Sequence, residues 1–355
     1  MEVQYLFRMK REFGEYRPSE ERLISLAPKT NDRDFCYEGL KKVSRSFAVV
    51  IQQLPKELQD PVCIFYLILR GLDTVEDDMD MDPTRKFELL EAFAHKINGD
   101  PFNVHGVGDT QDYRDLMEHF DKIVRVYQGL APQYREIITD ITDKMAFGMK
   151  KYAEKSVLSY EDWDDYCYYV AGLVGIGLSK LFYASDLESD PRLKDETLSN
   201  EMGLFLQKTN IIRDFAEDLE QQRVFWPEEA WKKRVKDLKD LQQEESKGLE
   251  VLNEMIINAL QHVPACLEYL GSLSNTQVFR FCAIPQLMAI ATLKELYNNV
   301  DVLHRNVKIR KGKTAKYFMS VNTFEQTERE FKSILQSITK HDTTNQVATI
   351  LAKLK

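Results

Sequence analysis

Residues 63–78 read CIFYLILRGLDTVEDD, and residues 202–218 read MGLFLQKTNIIRDFAED. Each stretch is too apolar for a surface helix and closes on the pattern D-x-x-E-D. The first carries Asp73, Glu76 and Asp77; the second carries Asp214, Glu217 and Asp218. Helical residues four apart share a face, so Asp73 lies beside Asp77 and Asp214 beside Asp218. Such like-charge pairs destabilise an isolated helix by roughly 0.2–0.5 kcal/mol, and by more where the dielectric is low.

A single D-x-x-x-D is most simply a solvated helix face. The repeat of the pattern after two apolar helices argues for more. Tyr66, Arg70, Asp73 and Asp77 follow in steps of four, three and four, which makes a polar seam on an otherwise apolar helix. Gln207, Asn210, Asp214 and Asp218 repeat the seam on the later helix. Seams of this kind point to a lined cavity between helices. A hard cation neutralises the acids: Mg²⁺ takes one or two carboxylates and keeps positions for water and substrate phosphates. Mg²⁺ on a diphosphate spreads the leaving group's charge, so that a C–O bond can ionise.

Outward from these segments, helical periodicity recurs and strand signals are nearly absent. Helices are expected at roughly 32–54, 59–79, 83–97, 111–128, 132–155, 160–185, 198–221, 227–236, 246–262, 275–305, 321–339 and 342–354. Ser159 with Asp162 makes a capping pair, and Pro61, Pro83, Pro132 and Pro227 sit near helix starts. Loops are expected over Asn98–Gln111, Asp186–Leu198 and Arg305–Tyr317. None is a flexible linker by composition. The chain therefore reads as all-α: one catalytic helical domain over 31–340, a peripheral extension over 1–30 and a C-terminal helix over 341–355.

The net charge of -9 argues against a nucleic-acid partner. Five widely spaced cysteines, without a C-x-x-C pair or zinc spacing, read as reduced thiols in a cytosol-facing protein. Residues 1–11 lack the apolar core of a signal peptide. The apolar stretch Tyr166–Leu178 falls short of the about 20 residues a membrane span needs, so the chain itself reads as soluble.

Four other segments bear on chemistry. Arg45, in Ser44-Arg45-Ser46-Phe47, could clamp a diphosphate or simply face solvent. Gly172, Gly175 and Gly177 each cost a helix about 1 kcal/mol relative to Ala, which implies a close approach by a partner helix or an isoprenoid chain. Phe279–Gln286 reads as an apolar turn entering a helix, its rings core packing or a carbocation's flank. Lys308–Lys313 places four cations in six residues, a solvated loop or a phosphate site.

In their order, SRSF (44–47), FYLILRGLDTVEDDM (65–79), YCYYVAGLVGIGLSKLF (166–182), MGLFLQKTNIIRDFAED (202–218), RVFWPEEAW (223–231), VFRFCAIPQLMAIATL (278–293) and VKIRKG (307–312) resemble the squalene synthase family, within the wider squalene/phytoene synthases. The resemblance spans about residues 35–315. It implies a single-domain class I isoprenoid synthase bundle with a central cavity. It implies two farnesyl diphosphates as substrates, joined to presqualene diphosphate and then reduced with NADPH to squalene.

By the same resemblance, Asp73, Glu76, Asp77, Asp214 and Asp218 hold Mg²⁺, and Tyr166, Tyr66, Arg70 and Phe281 are catalytic. Tyr166 would steer the leaving diphosphate or take the proton. Substrate would meet Ser44, Arg45, Ser46, Phe47, Val174 and Leu178, and also Gln207, Arg213, Cys282, Pro285 and Gln286. NADPH phosphates would meet Arg45, Arg70, Asn210, Arg213, Lys308, Arg310 and Lys311. The resemblance also implies a monomer on the cytosolic face of the endoplasmic reticulum, held by an apolar anchor beyond Lys355. There are two departures: Gln221-Gln222 precedes Arg223 where the family usually has Gly, and Phe215 stands where Tyr is frequent. A phytoene- or dehydrosqualene-type enzyme that stops before reduction should lack the KIRKG stretch, and an inactive helical scaffold need not keep the acids and Tyr166.

Overall fold

The computed structural model describes residues 31–44 and 46–354. The 1–30 extension and Arg45, expected among the phosphate-binding cations, lie outside them. No strand occurs among the described residues. Backbone contacts gather the chain into two compact units.

The first unit comprises residues 31–153 and 177–189. It holds α1 (Asn31–Ser44), α2 (Ser46–Gln52), α3 (Lys56–Asp77), α4 (Pro83–Asn98), α5 (Gln111–Glu118), α6 (Phe120–Gln128) and α7 (Pro132–Glu154, short of its last residue). Its centre is α3, which packs on α1, α2, α4, α5 and α6. Cys63, Ile64, Phe65, Leu67, Ile68, Leu69, Leu72 and Val75 are all buried, so α3 is covered on most sides. Gly71 is what lets α6 approach: a Cβ there would stand 2.5 Å from the Phe120 ring. The expected helix 111–128 is broken at His119 (φ -126, ψ 28).

The second unit comprises residues 154–176 and 190–354. It opens with α8 (Tyr160–Cys167), a π turn (Tyr168–Gly172) and the first residues of α9 (Leu173–Ala184). It continues with α10 (Glu196–Arg213), α11 (Phe215–Glu220), α12 (Glu228–Trp231), α13 (Glu245–Leu260), α14 (Val263–Leu270), α15 (Thr276–Leu296), α16 (Lys311–Ser320), α17 (Phe324–Thr339) and α18 (Gln346–Ala352). The Ser159/Asp162 capping box at α8 forms as expected. At the centre is α10, packed on the π turn, α13, α14 and α15.

Several elements depart from the sequence reading. α15 stops at Leu296, where Tyr297 turns extended (φ -61, ψ 126) and Asn298 follows in a left-handed conformation (φ 54). The segment 279–286 is no entry turn: it lies wholly inside α15, capped by Asn275, and Pro285 gives up one helical bond within it. α14 and α16 fall where no helix and a loop were expected. The helix expected over 160–185 does form as one continuous helical run, Tyr160–Ala184, of 25 residues. It and Thr276–Leu296 are long and apolar enough to cross a membrane; the latter is mostly buried, as a core helix is. All five cysteines are free and buried.

Candidate functional site

In the first unit, α3 delivers its polar seam at its C-terminal end. Arg70 lies between two rings, its guanidinium carbon 5.8 Å from the Tyr66 centroid and 5.7 Å from that of Tyr113. It pairs with Asp73 at 3.3 Å and donates a long bond of 3.5 Å to the Tyr66 hydroxyl. Its Nε is enclosed without a partner. Burial raises the Asp73 carboxyl to about 6; Arg70 opposes the shift and Asp77 adds to it. Burial likewise pushes the Tyr66 phenol up. The Phe47 ring lies 6.1 Å from that of Tyr66.

The end of α3 is held by its surroundings. Lys86 donates to the Glu76 carbonyl at 2.8 Å, and Asp78 accepts from the Gly108 backbone N–H at 3.2 Å. Gly108 (φ 117) has the Tyr113 Cβ 2.9 Å from where its own Cβ would be, and Arg114 binds its carbonyl at 2.8 Å. Asp77 is exposed and Glu76 half-buried. Ser44 spends its hydroxyl proton on the Leu40 carbonyl at 2.6 Å, which leaves only its lone pairs for any other partner. Ser46 opens α2. Leu178, beyond the π turn, is half-buried.

In the second unit, the expected helix 198–221 kinks at Asp214 (φ -94, ψ 9), where α10 gives way to α11. The turn survives the kink: the Asp218 N–H still bonds the Asp214 carbonyl at 2.9 Å. Gln207, Asn210, Asp214 and Asp218 form the half-exposed stripe of this helix pair, while Met202, Phe205, Ile211, Ile212 and Phe215 are buried. Both Asp214 oxygens are engaged. Arg213 donates to them at 2.7 and 2.5 Å, and Asn306 reaches Oδ1 at 2.5 Å.

Asp218 lies 3.8 Å from Arg223, whose guanidinium sits 5.9 Å over the Phe225 ring. Phe225 in turn stacks on Tyr166 at 5.2 Å. The structure thus ties Tyr166 to the second acidic motif through Arg223 and Phe225. Phe215 packs on Trp226 (4.4 Å between centroids), so its ring supports the motif from the core. Gln222 holds φ 59, a left-handed conformation that glycine adopts freely and that costs another residue about 1–2 kcal/mol.

The close approach at the glycines is helix on helix. A Cβ on Gly175 would meet the Ser199 carbonyl at 2.2 Å, and one on Gly172 the Asn200 side chain at 2.0 Å. A Cβ on Gly177 would meet Phe65 at 2.5 Å, inside the first unit. Val174, one residue before Gly175, is half-buried.

On α15, Phe281 and Cys282 are buried and Pro285 half-buried. Gln286 donates to the Met202 carbonyl at 3.0 Å while its Oε1 is enclosed without a partner. Lys308, Arg310 and Lys311 are exposed where the chain enters α16. Cations at a helix start oppose the helix dipole, and an anion bound there would relieve them.

Asn306 and Tyr113 carry no sequence signal of their own, whereas Arg223 and Phe225 lie in RVFWPEEAW without a role that spacing assigns. Asn306 meets Asp214 from 92 positions away, beyond any helical period.

Among the described residues no three His, Cys, Asp or Glu side chains converge into a metal cage. Carboxylate pairs suit Mg²⁺ all the same, because substrate phosphate and water complete its shell. A carboxyl held at about 6 beside Asp77, with one arginine for compensation, is what a cation would relieve. Asp214 fits through Oδ2, which accepts from Arg213 alone and keeps a lone pair for a metal.

A family model described as Squalene/phytoene synthase matches residues 40–313. The squalene synthase of Dictyostelium discoideum is 47% identical over 302 residues, covering 84% of this chain and 73% of that protein. Squalene synthase 3 of Panax ginseng is 47% identical over 324 residues, covering 89% and 77%. Among solved structures, the complex of TcSQS with the ligand BPH1237 superposes with a TM-score of 0.88 at 43% identity, over 92% of this chain and 98% of that one. A dehydrosqualene synthase complex shares the fold, with a TM-score of 0.55 at 22% identity, over 86% and 97%.

Proposed function

The chain belongs to the squalene/phytoene synthase family, and from that premise we propose that it joins two farnesyl diphosphates to presqualene diphosphate and reduces this to squalene with NADPH. The observation that carries the reading is the pair of intact D-x-x-E-D motifs. Each ends a buried helix and each has an arginine against its leading aspartate, Arg70 on Asp73 and Arg213 on Asp214.

Asp73, Asp77, Asp214 and Asp218 would hold Mg²⁺, with Glu76 beside them. When bound, Mg²⁺ supplies charge neutralisation of the departing diphosphate. Arg70 and Arg213 are guanidinium forks that can move from carboxylate to phosphate oxygens as the metal takes the carboxylates. Tyr166, whose ring stacks on Phe225, would steer the leaving diphosphate. Proton loss from the cyclopropyl-forming cation needs a base, and the diphosphate serves better than a phenol whose ordinary pKa is near 10.

NADPH supplies hydride for the second half-reaction. Lys308, Arg310 and Lys311 would bind its phosphates, with Asn210 as a neutral donor. Phe281, Cys282, Pro285 and Gln286 would wall off water, which otherwise traps the cation as an alcohol. On the family resemblance alone, we assign the protein to the cytosolic face of the endoplasmic reticulum as a monomer.

Incubation with farnesyl diphosphate and Mg²⁺ tests the whole reading. Presqualene diphosphate is expected without NADPH and squalene with it. Dehydrosqualene or persistent presqualene diphosphate in the presence of NADPH would remove the reductive half.

A further inference from the structure

Lys208 of α10 lies outside the Gln207–Asn210–Asp214–Asp218 stripe, and its side chain is shut in the core of the second unit, 1% exposed. Its ammonium meets three groups. It stands 2.5 Å from Asp164 Oδ1 of α8, an ionic contact without hydrogen-bond geometry. It donates to Asn258 Oδ1 of α13 at 2.6 Å. It also lies 4.8 Å from the centroid of the Trp163 ring of α8, which is fully buried. Two of these three contacts thus belong to α8, and Tyr166 stands two residues beyond Asp164. Past Tyr166 the helix widens: the Leu173 N–H bonds the Tyr168 carbonyl, five residues back. One residue added to a helical turn rotates what precedes it by about 100°. The end of this run meets α10 through Gly203 and Ala171, and its start is tied to α13 by the Tyr160 hydroxyl on Glu254 at 2.6 Å. Between them, Lys208 is the ionic tie from α10.

A lysine in a core is costly to desolvate, and an apolar side chain of similar volume is often as stable or more so. What the charge adds is direction. Apolar faces can slide over one another, whereas an ammonium between a carboxylate, an amide oxygen and a ring face satisfies all three in one arrangement. We propose that Lys208 is a positioning residue for the first half-reaction. It sets the rotation of α8 against α10, and with it the place of the Tyr166 phenol relative to Asp214 and Asp218. Lys208 precedes Asp214 by six residues, about 9 Å of helical rise, so it acts through the two helices and not on the substrate. This rests on the role of Tyr166 proposed above.

Lys208→Met keeps the length of the side chain and removes its charge. Tyrosine labelled with ¹³C at Cζ reports the phenols by NMR, and the Tyr166 signal is the one lost in Tyr166→Phe. In Lys208→Met that signal should move while most of the others stay. With farnesyl diphosphate and Mg²⁺, kcat for presqualene diphosphate should fall roughly ten- to a hundredfold, the size of a small misplacement, while KM stays within about twofold. The urea midpoint should be no lower than that of the unaltered protein. Asp164→Asn, at a half-exposed position, keeps an acceptor without the charge. It should show the same changes in smaller measure, and it carries the test if Lys208→Met does not fold. An unmoved Tyr166 signal or an unchanged kcat in a folded variant would overturn the proposal. So would a loss of kcat that follows a loss of stability and recovers on cooling, the mark of a brace alone. If the unaltered protein makes no presqualene diphosphate, the proposed function is what fails, and the role of Lys208 falls with it.

Discussion

Asp73 is a carboxylate that the metal-free fold holds better protonated. Its pKa of about 6 is due first to burial and then to Asp77, against the pull of Arg70. The unfolded value is near 4, so folding favours the protonated form. This contribution to stability is present below about pH 4, declines as pH rises toward 6 and is gone above it. Asp73→Asn keeps the shape without the charge. Its metal-free melting temperature should therefore vary less between pH 5 and pH 7.5 than that of the unaltered protein, while turnover should fall on the order of a hundredfold or more. Equal pH slopes in the two proteins would show that Asp73 ionises without strain. Asp73 and its seam were legible because spacing and repetition carry them. Asn306 was not legible, because a single amide in a polar loop looks like any other until the fold sets it against Asp214.

At the scale of elements, apolar periodicity located most of the helices, and the errors have local causes. α15 ends early because Tyr297 turns extended, with the left-handed Asn298 after it. Pro264 stands in the first turn of α14, where a missing N–H costs little and marks a helix start. α16 was not readable, since its N-cap is Arg310, without a side-chain cap bond, and Gly312 follows one residue into it. The glycine-rich stretch left two readings open, a partner helix or a ligand chain, and geometry favours the helix. A Cβ on Gly203 of α10 would sit 2.3 Å from the Ala171 carbonyl oxygen and 2.7 Å from the Gly172 Cα, both backbone atoms that cannot swing aside. Gly203→Ala should therefore cost about 3 kcal/mol in urea unfolding, the upper end for overpacking. A cost under about 0.5 kcal/mol, the usual surface range, would mean that α10 and the π turn can slide apart freely.

At the scale of the whole molecule, a net charge of -9 would have to receive substrates and a cofactor that are themselves anionic. Global electrostatics oppose their binding, so the work falls to local cations, and these differ in environment. Arg70 and Arg213 are mostly covered, with side chains 27% and 29% exposed, and each is paired with an aspartate. Lys308, Arg310 and Lys311 are exposed. Exposed charges are screened over about 8 Å at physiological ionic strength, whereas partly buried pairs are screened much less. The two proposed half-reactions should therefore respond differently to salt. Raising NaCl from 50 to 300 mM should raise KM for NADPH several-fold and leave presqualene diphosphate formation nearly unchanged. The double substitution Lys308→Ala with Arg310→Ala should raise KM for NADPH about tenfold, as expected for losing roughly 1.4 kcal/mol of phosphate binding. It should also flatten the salt dependence of that KM, because the screened charges are gone. Steady-state formation of squalene and presqualene diphosphate, followed at several salt concentrations, separates the two effects. A double variant with unchanged KM for NADPH would place the cofactor's phosphates elsewhere on the chain.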